Sequence, residues 1–181
     1  TGIENTFNSI KYKLEKLGFL QDNSLTEKGD FASRIYTEEI LMGEIFSTEL
    51  YKELDDYQTM LVLACATYEP RERTEFFKTF QSKGSSTLRA ILKQNPNVAK
   101  NKVFRNIEDL TAMASPCYNG KSIFQIIPNV NLQEGDLILF FRQILDIIGQ
   151  VKNATADPDL RDVMDRIKGK ILDCIKDIDA I

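Results

Sequence analysis

Apolar residues recur at threes and fours along most of the chain, the spacing that lines one face of a helix. Phe7, Ile10, Leu14 and Leu17 make the first such face, and Gly18 follows where a left-handed C-terminal cap belongs. Phe19-Leu20 and Leu25-Thr26 flank the polar turn Gln21-Asp22-Asn23-Ser24, which predicts one small hairpin within residues 18–26, the only β element expected. Thr26 is placed to cap a short helix carrying Phe31, Ala32 and Ile35. Thr37, before Glu38-Glu39, is placed to cap another carrying Ile40, Leu41, Ile45 and Phe46. Tyr57, Met60, Leu61, Leu63, Ala64 and Cys65 predict a strongly apolar helix that stops before Pro70.

The stretch from Arg71 to Lys83 is more polar, with Phe76, Phe77 and Phe80 on one side. Gly84-Ser85-Ser86 predicts a break before the segment Thr87 to Gln94, and Asn95-Pro96-Asn97 a turn after it. Val103, Phe104, Ile107, Leu110, Met113 and Ala114 predict a further amphipathic helix closed by Ser115-Pro116. Gly120 and Pro128 then bracket a short apolar piece containing Ile123, Phe124, Ile126 and Ile127. Asp157-Pro158-Asp159 combines a capping oxygen, a first-turn proline and an acid beside the helix dipole. The apolar spacing from Leu160 through Ile171, Cys174, Ile175 and Ile178 carries that last helix to the C-terminus. The expected architecture is all-α: a multi-helix bundle in one domain over residues 1–181, ending in a long antiparallel helix pair.

The helix preceding that last one differs from the others. Across Glu134 to Val151 the polar residues Asp136, Arg142, Gln143, Asp146 and Gln150 fall in one lengthwise stripe, on about a third of the circumference at roughly 100° per residue. Leu137, Phe140, Phe141, Ile144, Leu145, Ile147, Ile148 and Val151 cover most of the rest, so the helix is expected to be central. Such a stripe is either the solvated side of an amphipathic helix or a surface turned toward a ligand, and spacing alone does not separate the two.

Composition narrows the chemistry. With 181 residues, 43% of them hydrophobic, the chain can bury one substantial core. It has no histidine, which removes Ser-His-Asp and Cys-His nucleophiles, histidine general bases and the commonest zinc sites. Cys65, Cys117 and Cys174 are odd in number and far apart, which fits neither a disulfide framework nor a zinc pair. Glu38-Glu39 and Asp55-Asp56 are adjacent acids that point in different directions on a helix, and Glu44 and Glu49 read as surface acids. No phosphate loop is present, since Gly120-Lys121 lacks the upstream glycine and the strand. No apolar run spans a membrane and no leader is evident at the N-terminus, so the expected location is the cytoplasm.

Net charge is −4, unevenly placed: residues 83–121 carry seven basic and two acidic side chains. Lys83, Arg89 and Lys93, and above all Lys100, Lys102, Arg105 and Lys121, are candidate phosphate contacts, because local potential attracts a polyanion more than total charge does. A solvated basic surface explains the same residues.

Three segments carry a family resemblance. Leu17-Gly18-Phe19-Leu20 with Leu25-Thr26-Glu27-Lys28-Gly29-Asp30-Phe31-Ala32-Ser33-Arg34-Ile35, then Tyr118-Asn119-Gly120-Lys121-Ser122-Ile123-Phe124, then Glu134-Gly135-Asp136-Leu137-Ile138, occur in an order and spacing that resembles the DSHCT domain. This is the C-terminal helical domain of superkiller and exosome-cofactor type DExH-box RNA helicases. The resemblance implies that the chain is a C-terminal fragment of a larger helicase, and that the helix after Glu134-Gly135 contacts single-stranded RNA leaving the channel, as a ratchet during 3′–5′ unwinding. It implies base or phosphate contacts at Arg142, Gln143, Asp146 and Gln150. The RecA-like and winged-helix domains of the same protein become its neighbours, and ATP and Mg belong to that absent core, so no cofactor is expected in this chain. Where the family usually carries basic residues this chain has Leu139 and Gln143, so the contact is expected to be weakened, shifted to Arg142, or lost. The rival readings are a helical protein-interaction module whose stripe is bystander surface, and a free-standing enzyme, for which no nucleophile, metal set or phosphate loop is found.

Overall fold

Asp55 starts the helix around which the others are arranged. Its side chain accepts from Gln58 N (2.7 Å) while Gln58 Oε1 accepts from Asp55 N (2.8 Å), a reciprocal cap that satisfies two otherwise orphaned donors. In the computed structural model, which describes residues 1–178, the elements are α1 (Gly2–Lys16), a hairpin of β1 (Leu20–Gln21) and β2 (Ser24–Leu25), α2 (Glu27–Ser33), α3 (Glu39–Phe46), α4 (Asp56–Thr67), α5 (Lys83–Lys93), α6 (Pro96–Ala99), α7 (Ile107–Tyr118), α8 (Ile123–Ile126), α9 (Glu134–Ala154) and α10 (Pro158–Ile175). With one two-residue hairpin among the described residues, the fold is the all-α bundle expected.

The most central helix is α4, not α9. Met60 to Cys65 are all fully buried, so α4 is apolar all round and has neighbours on every side: α5, α7, α9 and α10 pack against it. Met60, Leu61, Val62 and Leu63 each contribute about 1.5–3 kcal/mol by leaving water. By contrast α9 buries one side, through Leu137, Phe140, Phe141, Ile144, Ile147, Ile148 and Val151, and its flank is closed by α10 and α2. The loop between α9 and α10 is short, which makes the pair antiparallel. Asp157 caps α10 by accepting from Asp159 N (2.9 Å) and is held by the Tyr51 hydroxyl, which keeps its carboxyl below the usual range. The helix ends at Ile175, short of the predicted Ile178. The last three positions of that prediction, 179–181, lie outside the described residues.

Several local expectations are corrected. Thr37 does not cap α3; Glu38 precedes it in a left-handed conformation (φ 49°) with no side-chain cap. Residues 84–86 are helical, because Ser82 and Ser85 cap each other (3.4 and 3.1 Å) and start α5 ahead of the glycine. Between α4 and α5 the chain is an extended strap: Phe76 bridges to Val130, and Phe77 points to solvent while Phe76 and Phe80 turn inward. Pro116 does not end α7 but lies inside its last turn. Proline removes the N–H that would reach the Ala112 carbonyl, and the buried Asn129 amide donates to that carbonyl instead, at 3.1 Å.

The first two segments of the family resemblance share one device. Gly18 (φ 85°) follows α1 with Gly18 N donating to Glu15 O (3.1 Å) and Phe19 N to Leu14 O (2.9 Å). Gly120 (φ 84°) follows α7 with Gly120 N to Cys117 O (3.2 Å) and Lys121 N to Pro116 O (2.9 Å). Both are Schellman caps, which need a residue that tolerates positive φ. The N–H groups of Gly120 and Lys121 are thereby engaged, so this glycine-lysine pair offers no cradle for a nucleotide phosphate.

Thr26 and Lys28 fasten the hairpin to α2 and α3. Thr26 Oγ1 donates to Gly18 O (2.6 Å) and accepts from Gly29 N (3.1 Å). Lys28 Nζ donates to Leu17 O (2.6 Å) and to Glu44 (2.5 Å). Glu44 is therefore not the surface acid expected: its side chain is 9% exposed, and its partner lies on a different helix.

Candidate nucleic-acid interface

The exposed side of α9 runs from Glu134 and Asp136, two acids that suit the positive end of the helix dipole, down to Gln150. Not all of its polar stripe is free. Asp136 is held by Arg71 of the strap (2.8 Å). Gln143 is half-buried and lines a cavity of about 80 Å³ with Tyr68, Arg71, Asp136 and Phe140. Arg142 is exposed, and no carboxylate among the described residues lies within ion-pair distance of it. Leu139, which falls within the polar arc, is 43% exposed.

At the lower end of the stripe the polar groups are joined to each other. Gln150 Nε2 donates to Asp146 Oδ2 (3.0 Å), and Gln150 Oε1 accepts from the backbone N–H of Tyr36 (2.8 Å). Tyr36 belongs to the linker between α2 and α3, and its side chain is exposed, at 84%. This residue escaped sequence reasoning, because nothing local connects positions that are 114 residues apart. The stripe thus reads, from top to bottom, as a paired acid, a free guanidinium with an amide beside it, and an amide–carboxylate clamp on a neighbouring loop.

The basic candidates do not form one patch among themselves. Lys100, Lys102 and Arg105 are exposed on the connection into α7, and Lys121 is exposed beyond the other end of that helix, about 18 Å away along 12 helical residues. Lys121 lines a cavity of about 250 Å³ with Lys78, Phe80, Asn119 and Gln125. Lys100 and Lys102 flank Asn101, whose amide donates to Glu38 (3.5 Å) on the linker clamped to Gln150, whereas Lys121 lies at the other end of α7, beside α8. Arg89 is not available to a phosphate: its guanidinium donates to both oxygens of Glu108 (2.7 and 2.5 Å) and to Phe104 O (3.0 Å).

That pairing holds the Glu108 carboxyl below its ordinary value of 4.5, chiefly through the Arg89 hydrogen bonds. A depressed folded pKa stabilises the fold above the ordinary value and is lost as pH falls through the folded one. The difference in urea midpoint between the protein and Glu108→Gln is therefore expected to shrink on acidification below pH 4.5; a difference constant with pH would contradict this account. The cysteines are buried and unbridged. Burial raises the Cys65 thiol, and the neighbouring Cys174 sulfur with burial raises that of Cys117, so neither is a ready thiolate.

A comparison with curated proteins finds no match. Residues 22–175 match the family described as the DSHCT (NUC185) domain, a span from the hairpin turn to the last residue of α10 that takes in the stripe and the linker clamped to it. The chain therefore belongs to the DSHCT domain family, the C-terminal domain of superkiller-type helicases.

Proposed function

We propose that this domain lines the nucleic-acid exit channel of an ATP-dependent RNA helicase and that the exposed side of α9 is its ratchet-like strand-facing surface during 3′–5′ unwinding. The observation that carries the reading is Arg142: a free guanidinium with the Gln143 amide beside it, midway along an unbroken 21-residue helix whose opposite side is fixed in the core. An arginine can reach a phosphate or a base edge, and an amide can reach base edges. The stripe carries few charges and two of them are internally engaged, so contacts made here are weak and exchangeable. A strand held this way slides when pulled and resists slipping back between pulls. The pull itself comes from RecA-like domains that bind ATP and Mg, since the residues of this chain offer no phosphate cradle. The exposed apolar side chains of α1, Ile3, Phe7 and Ile10, suit contact with preceding domains such as the winged helix, and the domain works in the cytoplasm as part of that larger helicase.

Arg142→Ala with Gln143→Ala in the full helicase is expected to slow RNA unwinding about five- to tenfold, the net worth of one or two exchangeable hydrogen bonds, while leaving the domain's melting temperature unchanged. Unwinding and RNA-stimulated ATP hydrolysis at the unaltered rates would remove the stripe from the mechanism. The interaction-module reading predicts instead a partner contact that does not weaken steeply with salt.

A further inference from the structure

We infer that Tyr36 is a base-stacking platform at the lower end of the stripe, and that Gln150 and Asp146 serve to position it; this rests on the reading of α9 as strand-facing. A tyrosine ring buries more apolar area than almost any other side chain can and normally finds cover, yet Tyr36 is 84% exposed. Its backbone is nevertheless held. Ile35, the preceding residue, is buried at 3%, Ile35 N donates to Ala32 O (3.1 Å), and Tyr36 N is received by Gln150 Oε1 at 2.8 Å. Two residues on, Glu38 holds a left-handed backbone (φ 49°) and its carboxylate receives Asn101 Nδ2 at 3.5 Å. An exposed aromatic ring on a fixed backbone, adjoining a polar stripe, has the form of a sequence-tolerant stacking surface, because every base has a π-face.

The same geometry reassigns two stripe residues. Gln150 presents its carbonyl oxygen to Tyr36 and its NH₂ to Asp146. Both ends of the amide are engaged, which leaves little for reading a base. The Asp146–Gln150–Tyr36 chain is a positioning device, and the strand-contacting groups are Arg142 with Gln143 above and the Tyr36 ring below. Gln150 is two turns beyond Gln143, about 10 Å along the axis, so ring and amide address different nucleotides of one strand.

The test uses the full chain and a single-stranded RNA about 12 nucleotides long, within the range such sites cover, carrying 5-iodouridine, which on irradiation loses iodide and joins covalently to an aromatic ring stacked on it. The expected adduct maps to Tyr36. Tyr36→Ala should weaken binding about tenfold and Tyr36→Phe by less than about twofold, since stacking needs the ring and not the hydroxyl. Gln150→Ala should cut the Tyr36 adduct and speed amide exchange at Tyr36. The exchanged pair Asp146→Asn with Gln150→Glu should restore both, because it keeps an acceptor for Tyr36 N–H and a donor one turn away. Full binding by Tyr36→Ala alongside weakened binding by Arg142→Ala would overturn this inference and leave the strand-facing stripe standing. If neither substitution changes binding, both readings fall.

Discussion

Gly29→Ala is expected to lower stability by about 3 kcal/mol, at the upper end of what overpacking a core costs, and the melting temperature by roughly 6–12 °C in a chain of this size. A Cβ on Gly29 would lie 2.0 Å from the carbonyl oxygen of Phe19 and 3.1 Å from Leu25 Cδ2. The obstacle is backbone and cannot rotate away. That carbonyl also accepts from Thr26 N (3.2 Å), so displacing it opens the base of the hairpin. Phe19 is 2% exposed, and its ring meets Gly43 of α3, where a Cβ would lie 2.6 Å from the ring. Two glycines therefore admit Phe19, Gly29 beside its backbone carbonyl and Gly43 beside its ring, in helices where glycine otherwise costs about 1 kcal/mol relative to alanine. Gly169→Ala, with nothing within 4 Å of its Cβ, is the internal control and should be neutral or slightly stabilising. Unfolding curves for Gly29→Ala that superimpose on those of the unaltered protein would mean that α2 and the Phe19 carbonyl do not approach this closely.

How much of this was legible beforehand depends on the distance over which each feature is determined. Some caps are local, so Thr26, Asp157 and the glycine after α1 could be read from neighbours a few residues away, as could the apolar run of α4 and the faces of α9 and α10 from their spacing. Two of the misreadings, Pro116 and Glu44, share one cause, a partner on another element. Pro116 looked like a helix end because Asn129, which satisfies the Ala112 carbonyl, lies beyond another turn. Glu44 looked like surface because Lys28 is on another helix. Ser85 looked like a loop residue because its capping partnership with Ser82 was outweighed by the adjacent glycine. For the candidate site, the solvent side of α9 followed from spacing, but which stripe residues are free did not. Arg71 on Asp136 and the Tyr36 linker on Gln150 are tertiary contacts, and only they distinguish Arg142 from its polar neighbours.

Lys28→Met is expected to cost about 3 kcal/mol or more, the usual result of leaving one member of a buried ion pair behind, and Glu44→Leu a similar amount. Their side chains are 16% and 9% exposed and meet at 2.5 Å, and the ammonium also donates to Leu17 O (2.6 Å) and lies 4.5 Å from the centre of the Phe19 ring. Each charge is acceptable there only because the other is present. The combined variant removes both at once and should recover most of the loss, since a buried pair replaced by apolar groups of similar volume is often near neutral. Chemical denaturation of the two single variants and the double variant measures this directly. Additive losses would show that the pair is better solvated than its burial indicates. The consequence reaches the stripe, because α2 and α3 are the two ends of the linker that carries Tyr36. Lys28 joins α2 to α3 across that linker, so Lys28→Met should also loosen Tyr36 and speed its amide exchange with Gln150 intact, whereas the double variant, which restores apolar contact between the two helices, should bring the exchange back down.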